Sequence, residues 1–128
     1  MHILSMDDSP APIIWNGYLR AGYATWPVGQ TCPVHYHQRA AEVFIFLEGE
    51  CDFVVDGETQ RVRAGQTVYV GPGASHKLTA VGDRPMKMFL AVLPNHEPTH
   101  TIQQDDGSWR DHNRQPPGPT DVWIGKGD

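Results

Sequence analysis

The apolar positions of this chain fall into short runs at strand periodicity, separated at regular intervals by turn residues. Ile14 to Leu19 and Ala21 to Trp26 read as two short strands around Gly17 and Gly22, and Thr31 to His37 as the next extended segment. Gln38 to Ala41 is short enough to be a hairpin connection. It returns the chain into Glu42–Leu47, a β-branched and aromatic strand headed by a carboxylate. Glu48–Gly49–Glu50 turns into Cys51–Val55, and Asp56–Gly57 is a type I′ hairpin signal with Glu58–Arg63 returning. Gln66–Val70, His76–Val81 and Met86–Leu93 complete the set, divided by Gly71–Pro72–Gly73 and Gly82–Pro85. Nowhere do apolar residues recur at helical spacing over about eleven residues. The expectation is an all-β sandwich or barrel whose core spans about residues 14–93.

Side-chain alternation assigns the faces of these strands. Glu42, Phe44 and Phe46 share one face of their strand, and Val43, Ile45 and Leu47 the other. With Glu42 inward, the two phenylalanines line the interior. The aliphatic set is then left for a second sheet or another subunit. Met86, Met88, Leu90 and Val92 alternate with Lys87, Phe89, Ala91 and Leu93; because Lys87 needs water, the methionine face is the expected inner wall. Residues 1–13 read as a surface arm. Residues 94–128 read as an irregular tail holding one polar hairpin around Asp105–Ser108, a proline-rich run Gln115–Pro119, and a docking stretch Val122–Trp123–Ile124.

Composition narrows the picture in a few places. A length of 128 residues fits one domain, and 13 glycines with 11 prolines suit many strands joined by tight turns. A formal charge of -5 argues against a nucleic-acid partner, which needs a basic face. No apolar run approaches the roughly 20 residues that span a bilayer. The acidic N-terminus lacks the basic and apolar regions of a signal peptide, so a cytoplasmic location is expected. Cys32 and Cys51 form no CxxC pair and read as reduced thiols.

The chemistry concentrates around two histidines. His35 and His37, at i and i+2, point the same way only on a strand; on a helix they would splay roughly 200° apart. The hairpin returns Glu42 beside them, and His76 heads another strand after the Gly71–Pro72–Gly73 turn. Three imidazoles and one carboxylate suit one divalent transition metal per chain, with Fe, Mn, Ni, Co, Cu and Zn all compatible. A metal-free polar patch would bury the carboxylate with no charge to balance it. Four protein ligands on an octahedral ion leave two positions for water or for a chelating enolate, hydroxy acid or diol. The residual positive charge favours anionic oxygen. Pro98 between His96 and His100 argues against a helical metal pair there, and His2 and His112 read as solvated.

The order Gly29-x5-His35-x-His37-x4-Glu42-x6-Gly49 resembles the first motif of the cupins at every position. Gly65, Gly73 and His76 resemble the second, with Gly71 standing where that family has proline and Ala80 where it has asparagine. Pro72, one residue late, still biases Gly71 toward an extended conformation. The resemblance covers about residues 20–93. It implies a cupin-type antiparallel β-barrel or jelly roll with His35, His37, Glu42 and His76 as metal ligands.

The same resemblance implies a superfamily of dioxygenases, isomerases, epimerases, lyases and non-catalytic ligand-binding proteins, among which fold does not choose. Phe44, Phe46, Met88, Tyr69 and Trp26 are the candidate pocket residues, suited to a small, partly apolar substrate. Tyr69, Tyr23 and Arg39 are candidate acid–base groups, whereas alternation sends Tyr36 outward. The favoured function is a metalloenzyme acting on a small oxygen-bearing molecule. The alternatives are a binding or sensor module without turnover and a storage cupin. The apolar outer face of the Glu42 strand points to a homodimer, covered by the N-terminal segment and Val122–Trp123–Ile124.

Overall fold

Strand periodicity resolves into eleven β-strands and no helix among the described residues, 1–8 and 11–115 of a computed structural model. In chain order they are β1 (Ile13–Trp15), β2 (Arg20–Trp26), β3 (His35–Tyr36), β4 (Ala41–Glu48), β5 (Glu50–Val55) and β6 (Glu58–Arg63). Then come β7 (Thr67–Val70), β8 (His76–Val81), β9 (Met86–Leu93), β10 (His100–Gln103) and β11 (Trp109–His112). Two antiparallel sheets run β1-β2-β9-β4-β7 and β11-β10-β3-β8-β5-β6. The all-β jelly roll expected from the sequence is the fold.

The inner faces follow the alternation. Phe44 and Phe46 of β4, Met86 and Met88 of β9, Phe53 of β5 and Leu78 of β8 form one buried cluster. The β5–β6 turn has positive φ at both Asp56 and Gly57, 47° and 83°, as a type I′ turn requires.

Three departures from the expected strands stand out, two of them with local causes. The first expected strand stops at Trp15, because the Asn16 side-chain oxygen accepts hydrogen bonds from the amides of Tyr18 and Leu19 and closes a turn. The expected strand Thr31–His37 shrinks to His35–Tyr36 plus an isolated bridge at Thr31, since Pro33 has no amide to donate. The polar hairpin expected around Asp105–Ser108 forms from β10 and β11; the departure is that β10 also bonds to β3, placing the hairpin beside the histidine strand. The Val122–Trp123–Ile124 stretch lies outside the described residues.

Gly49, between β4 and β5, is the position where glycine matters most. Its φ is +73°, and a Cβ there would lie 2.7 Å from the Pro85 carbonyl oxygen and 2.9 Å from the Met86 Cα. Gly49→Ala combines left-handed strain with a clash against backbone, so it is expected to cost about 1–3 kcal/mol or more. Urea denaturation reads this cost; an unchanged midpoint would contradict it.

Candidate metal centre

Strand pairing brings the four residues together. His35 of β3 is the direct partner of His76 on β8, and His37 follows one residue beyond β3. Glu42 enters from β4 in the facing sheet. The Gly73 amide donates to the His37 carbonyl at 2.8 Å, tying the turn before His76 to the His37 backbone. One ligand atom from each of His35, His37, Glu42 and His76 lies within 4.8 Å of every other. That span fits one shell around an ion with bonds near about 2.1 Å.

Hydrogen bonding fixes which imidazole nitrogen faces the centre. The Nδ1 atoms of His35, His37 and His76 lie 2.8, 2.7 and 3.0 Å from the carbonyl oxygens of Pro33, Thr99 and Ala74. A carbonyl only accepts, so each Nδ1 carries its proton and donates. In a neutral ring, Nε2 is then a bare lone pair. Yet the Nε2 atoms of His37 and His76 both lie 2.9 Å from Glu42 Oε1, an arrangement that repels unless positive charge intervenes. Protons on both rings or one cation can supply that charge. A cation serves all three imidazoles and the carboxylate together, so the residues present fit a divalent metal. Backbone carbonyls holding the distal nitrogens are the usual support of ligating histidines.

The electrostatics follow from burial. Burial alone would push the Glu42 carboxyl up; its pairing with His37 and His76 outweighs this and holds it down, at about 2. Burial, then the neighbouring His76, lowers His35 to about 4. Arg20 is 6% exposed, and burial lowers its guanidinium to about 10 although Glu42 favours the charge. Arg20 Nη2 donates to the Thr99 carbonyl at 2.8 Å and Nη1 to Asn95 Oδ1 at 3.0 Å. It therefore braces the carbonyl that orients His37 and adds a buried positive charge to the site.

Sequence reasoning missed Arg20 and His100. An arginine inside an otherwise uncharged short strand was one available signal. For His100, the signal was hairpin register about the Asp106–Gly107 turn, which sets His100 opposite His112. The His100 ring lies 5.2 Å from that of His37 and 5.6 Å from that of His35. Burial and the Arg20 charge lower it to about 3.

The other sequence candidates are not brought to the centre as a group. Phe44, Phe46 and Met88 are packed in the buried core, and Trp26 packs against it half-buried. Phe44 does touch the site from behind, its ring centroid 6.0 Å from that of His76. Tyr69 corrects the expectation most clearly: it is 67% exposed. Its strand register puts Val70 opposite Glu42 and Tyr69 opposite Val43, on the outer face. Tyr23 shares that face, its ring against Phe89. Arg39 is exposed and donates to the Glu97 carbonyl. A cavity of about 240 Å³ opens beside His35 and is lined by His100, His112 and Arg114 of the C-terminal segment, with Cys32 and Ile102. A larger one, about 350 Å³, lies among Phe53, Val62 and Val68 and has no imidazole in its wall.

The depressed histidines give a pH prediction. In the metal-stripped protein, His35 and His100 refuse protons until about 4 and about 3, whereas the unfolded chain takes them up near 6.5. The unfolded state thus binds more protons as pH falls below 6.5, and stability is lost through that window. Glu42 extends the loss in the same direction at lower pH. The urea midpoint of stripped protein should be clearly lower at pH 5 than at pH 7.5; an equal or higher midpoint would contradict this.

The cupin-domain family profile matches residues 22–92, more than half of the chain. This protein is a cupin. An uncharacterized protein of Methanocaldococcus jannaschii is 30% identical over 95 residues, 72% of this cupin and 76% of that protein. An oxalate-binding protein of Thermotoga maritima is 30% identical over 67 residues, covering 52% of this chain and 54% of the relative. Among solved structures, a DMSP lyase from Ruegeria pomeroyi superposes with a TM-score of 0.64 at 24% identity, over 77% of this cupin and 53% of that chain. At that identity the likeness speaks for the fold. Both cysteines of the cupin are unpaired, and no helix among the described residues is long and apolar enough to cross a membrane.

Proposed function

We propose that this cupin is a metalloenzyme acting on a small oxygen-bearing anion that chelates one divalent transition metal per chain, held by His35, His37, Glu42 and His76. The observation that carries the reading is the convergence of three Nδ1-anchored imidazoles and one buried carboxylate. Bound there, a divalent ion supplies Lewis acidity or, if redox-active, a site for dioxygen chemistry. The chain's own contribution is orientation and charge. Pro33, Thr99 and Ala74 fix the imidazoles, Arg20 adds positive potential that favours an anion, and Phe44 and Phe53 close the site against water from the core side. The cavity beside His35 is the place for the substrate.

A second reading, a binding module without turnover, is favoured by the relative named for oxalate binding. Elemental analysis of protein purified without chelators, with oxygen uptake on a panel of small enolisable acids and phenols, separates the two. One metal with turnover supports the enzyme. One metal with stoichiometric binding and no reaction on any assay supports the binding module, and absence of metal contradicts both.

We further propose that two copies pair through the outer face of β4 and β9. Val43, Ile45, Phe89 and Leu93 lie on that face with Tyr69, and Ile45, Leu93 and Tyr69 are exposed on it. Such a face can bury itself against its own copy by two-fold symmetry. Light scattering should give twice the chain mass at micromolar concentration, and Ile45→Lys should shift it to the monomer. A monomeric wild-type protein would remove the proposal.

A further inference from the structure

Thr99 determines the state of a histidine that is not among the four ligands. Its hydroxyl has one proton and two lone pairs. The hydroxyl lies 3.1 Å from the His112 carbonyl oxygen, which only accepts, so the proton goes there. The Arg114 amide donates to the same hydroxyl at 2.7 Å. What remains for His100 Nδ1, 2.8 Å away, is a lone pair. His100 Nδ1 must therefore be the donor, and Nε2 of the uncharged ring is a bare acceptor. Among the described residues Nε2 has no hydrogen-bond partner, and since no buried side-chain polar atom among those residues is left unpaired, it is not sealed from solvent. His100 lines the cavity that also reaches the ligand His35 and the guanidinium-bearing Arg114.

We propose that His100 is a specificity residue, accepting a hydrogen bond through Nε2 from a hydroxyl of the ligand in this cavity. The ligand class is then a short 2-hydroxy acid: a carboxylate for the positive site and an adjacent O–H for His100. A keto acid of the same skeleton offers an oxygen lone pair to the Nε2 lone pair, and the site rejects it. Sites built to bond a particular hydrogen discriminate in this way because the unmatched polar group is left unpaired. The inference rests on the metal-site reading above, narrowing its substrate.

The test is calorimetric titration of Ni(II)-loaded protein with lactate and with pyruvate, with nickel content measured in every sample. Wild-type protein is expected to bind lactate about tenfold more tightly than pyruvate, the worth of one hydrogen bond. His100→Phe should weaken lactate about tenfold and, with the opposing lone pair gone, bind pyruvate at least as tightly as wild type, so that the preference disappears. His100→Gln, whose Oε1 can accept at similar reach, should keep most of the preference. Equal weakening of both acids in His100→Phe would make His100 a wall residue and overturn the proposal. So would a wild-type protein that holds nickel yet prefers pyruvate or binds neither acid. Wild-type protein that takes up no nickel would fail at the metal site itself, bringing down both readings, and the nickel assay identifies that case before any titration.

Discussion

Replacing His76 by alanine is expected to weaken metal binding by at least about 100-fold, beyond the 10–100-fold typical of losing a supporting residue behind a ligand. His76 is 1% exposed, and its Nδ1 is anchored to the Ala74 carbonyl, so its Nε2 is held toward the centre and its removal takes away one of four converging donors. His35→Ala should behave alike. After dialysis, elemental analysis should find little metal in either variant, and full stoichiometry in either would remove that residue from the ligand set. The strands should survive in both. Phe44, Phe46, Met86 and Leu78 form a core whose packing needs no ion. Far-UV circular dichroism of stripped protein should keep its β spectrum, unlike a zinc-finger domain, which unfolds on chelation.

The largest effect on stability is expected from Phe44→Ala. The ring is 2% exposed, with its centroid 4.9 Å from that of Phe53 and 6.4 Å from that of Phe46. Truncation removes buried area and leaves a cavity between the sheets, at a cost of about 3–5 kcal/mol. Against a typical total of about 5–15 kcal/mol this is a large fraction. Because the same ring backs His76, the variant should also bind metal more weakly while retaining measurable affinity. Urea unfolding gives the first quantity and metal titration the second. A loss below about 1 kcal/mol would mean that the core collapses around the gap.

The parts legible in the sequence are those written in short-range spacing. Alternation along β4 fixes Glu42, Phe44 and Phe46 on one face, and β9 carries its methionines inward opposite Lys87 in the same way. The intervals from Gly29 through Gly49 bring His35, His37 and Glu42 within one turn of chain, so their grouping needs no knowledge of distant contacts. What stayed hidden depends on long-range pairing. Thr99 orients His37 across 62 residues, Arg20 reaches Thr99 across 79, and β10 joins β3 only because of the sheet order. Nothing near His100 in sequence announces that pairing. Tyr69 was misplaced for a different reason. Its strand carries valines on either side, and only the register against Glu42 decides which of the two faces is buried.

The central claim is one ion held by three Nε2 atoms and the Glu42 carboxylate. Anomalous diffraction at the metal edge, on crystals grown from metal-loaded protein, tests it without reference to any substrate. The expected result is a single strong peak per chain, about 2.1 Å from Nε2 of His35, His37 and His76 and from a Glu42 oxygen. A peak elsewhere, or one lacking any of these four ligands, would contradict the claim.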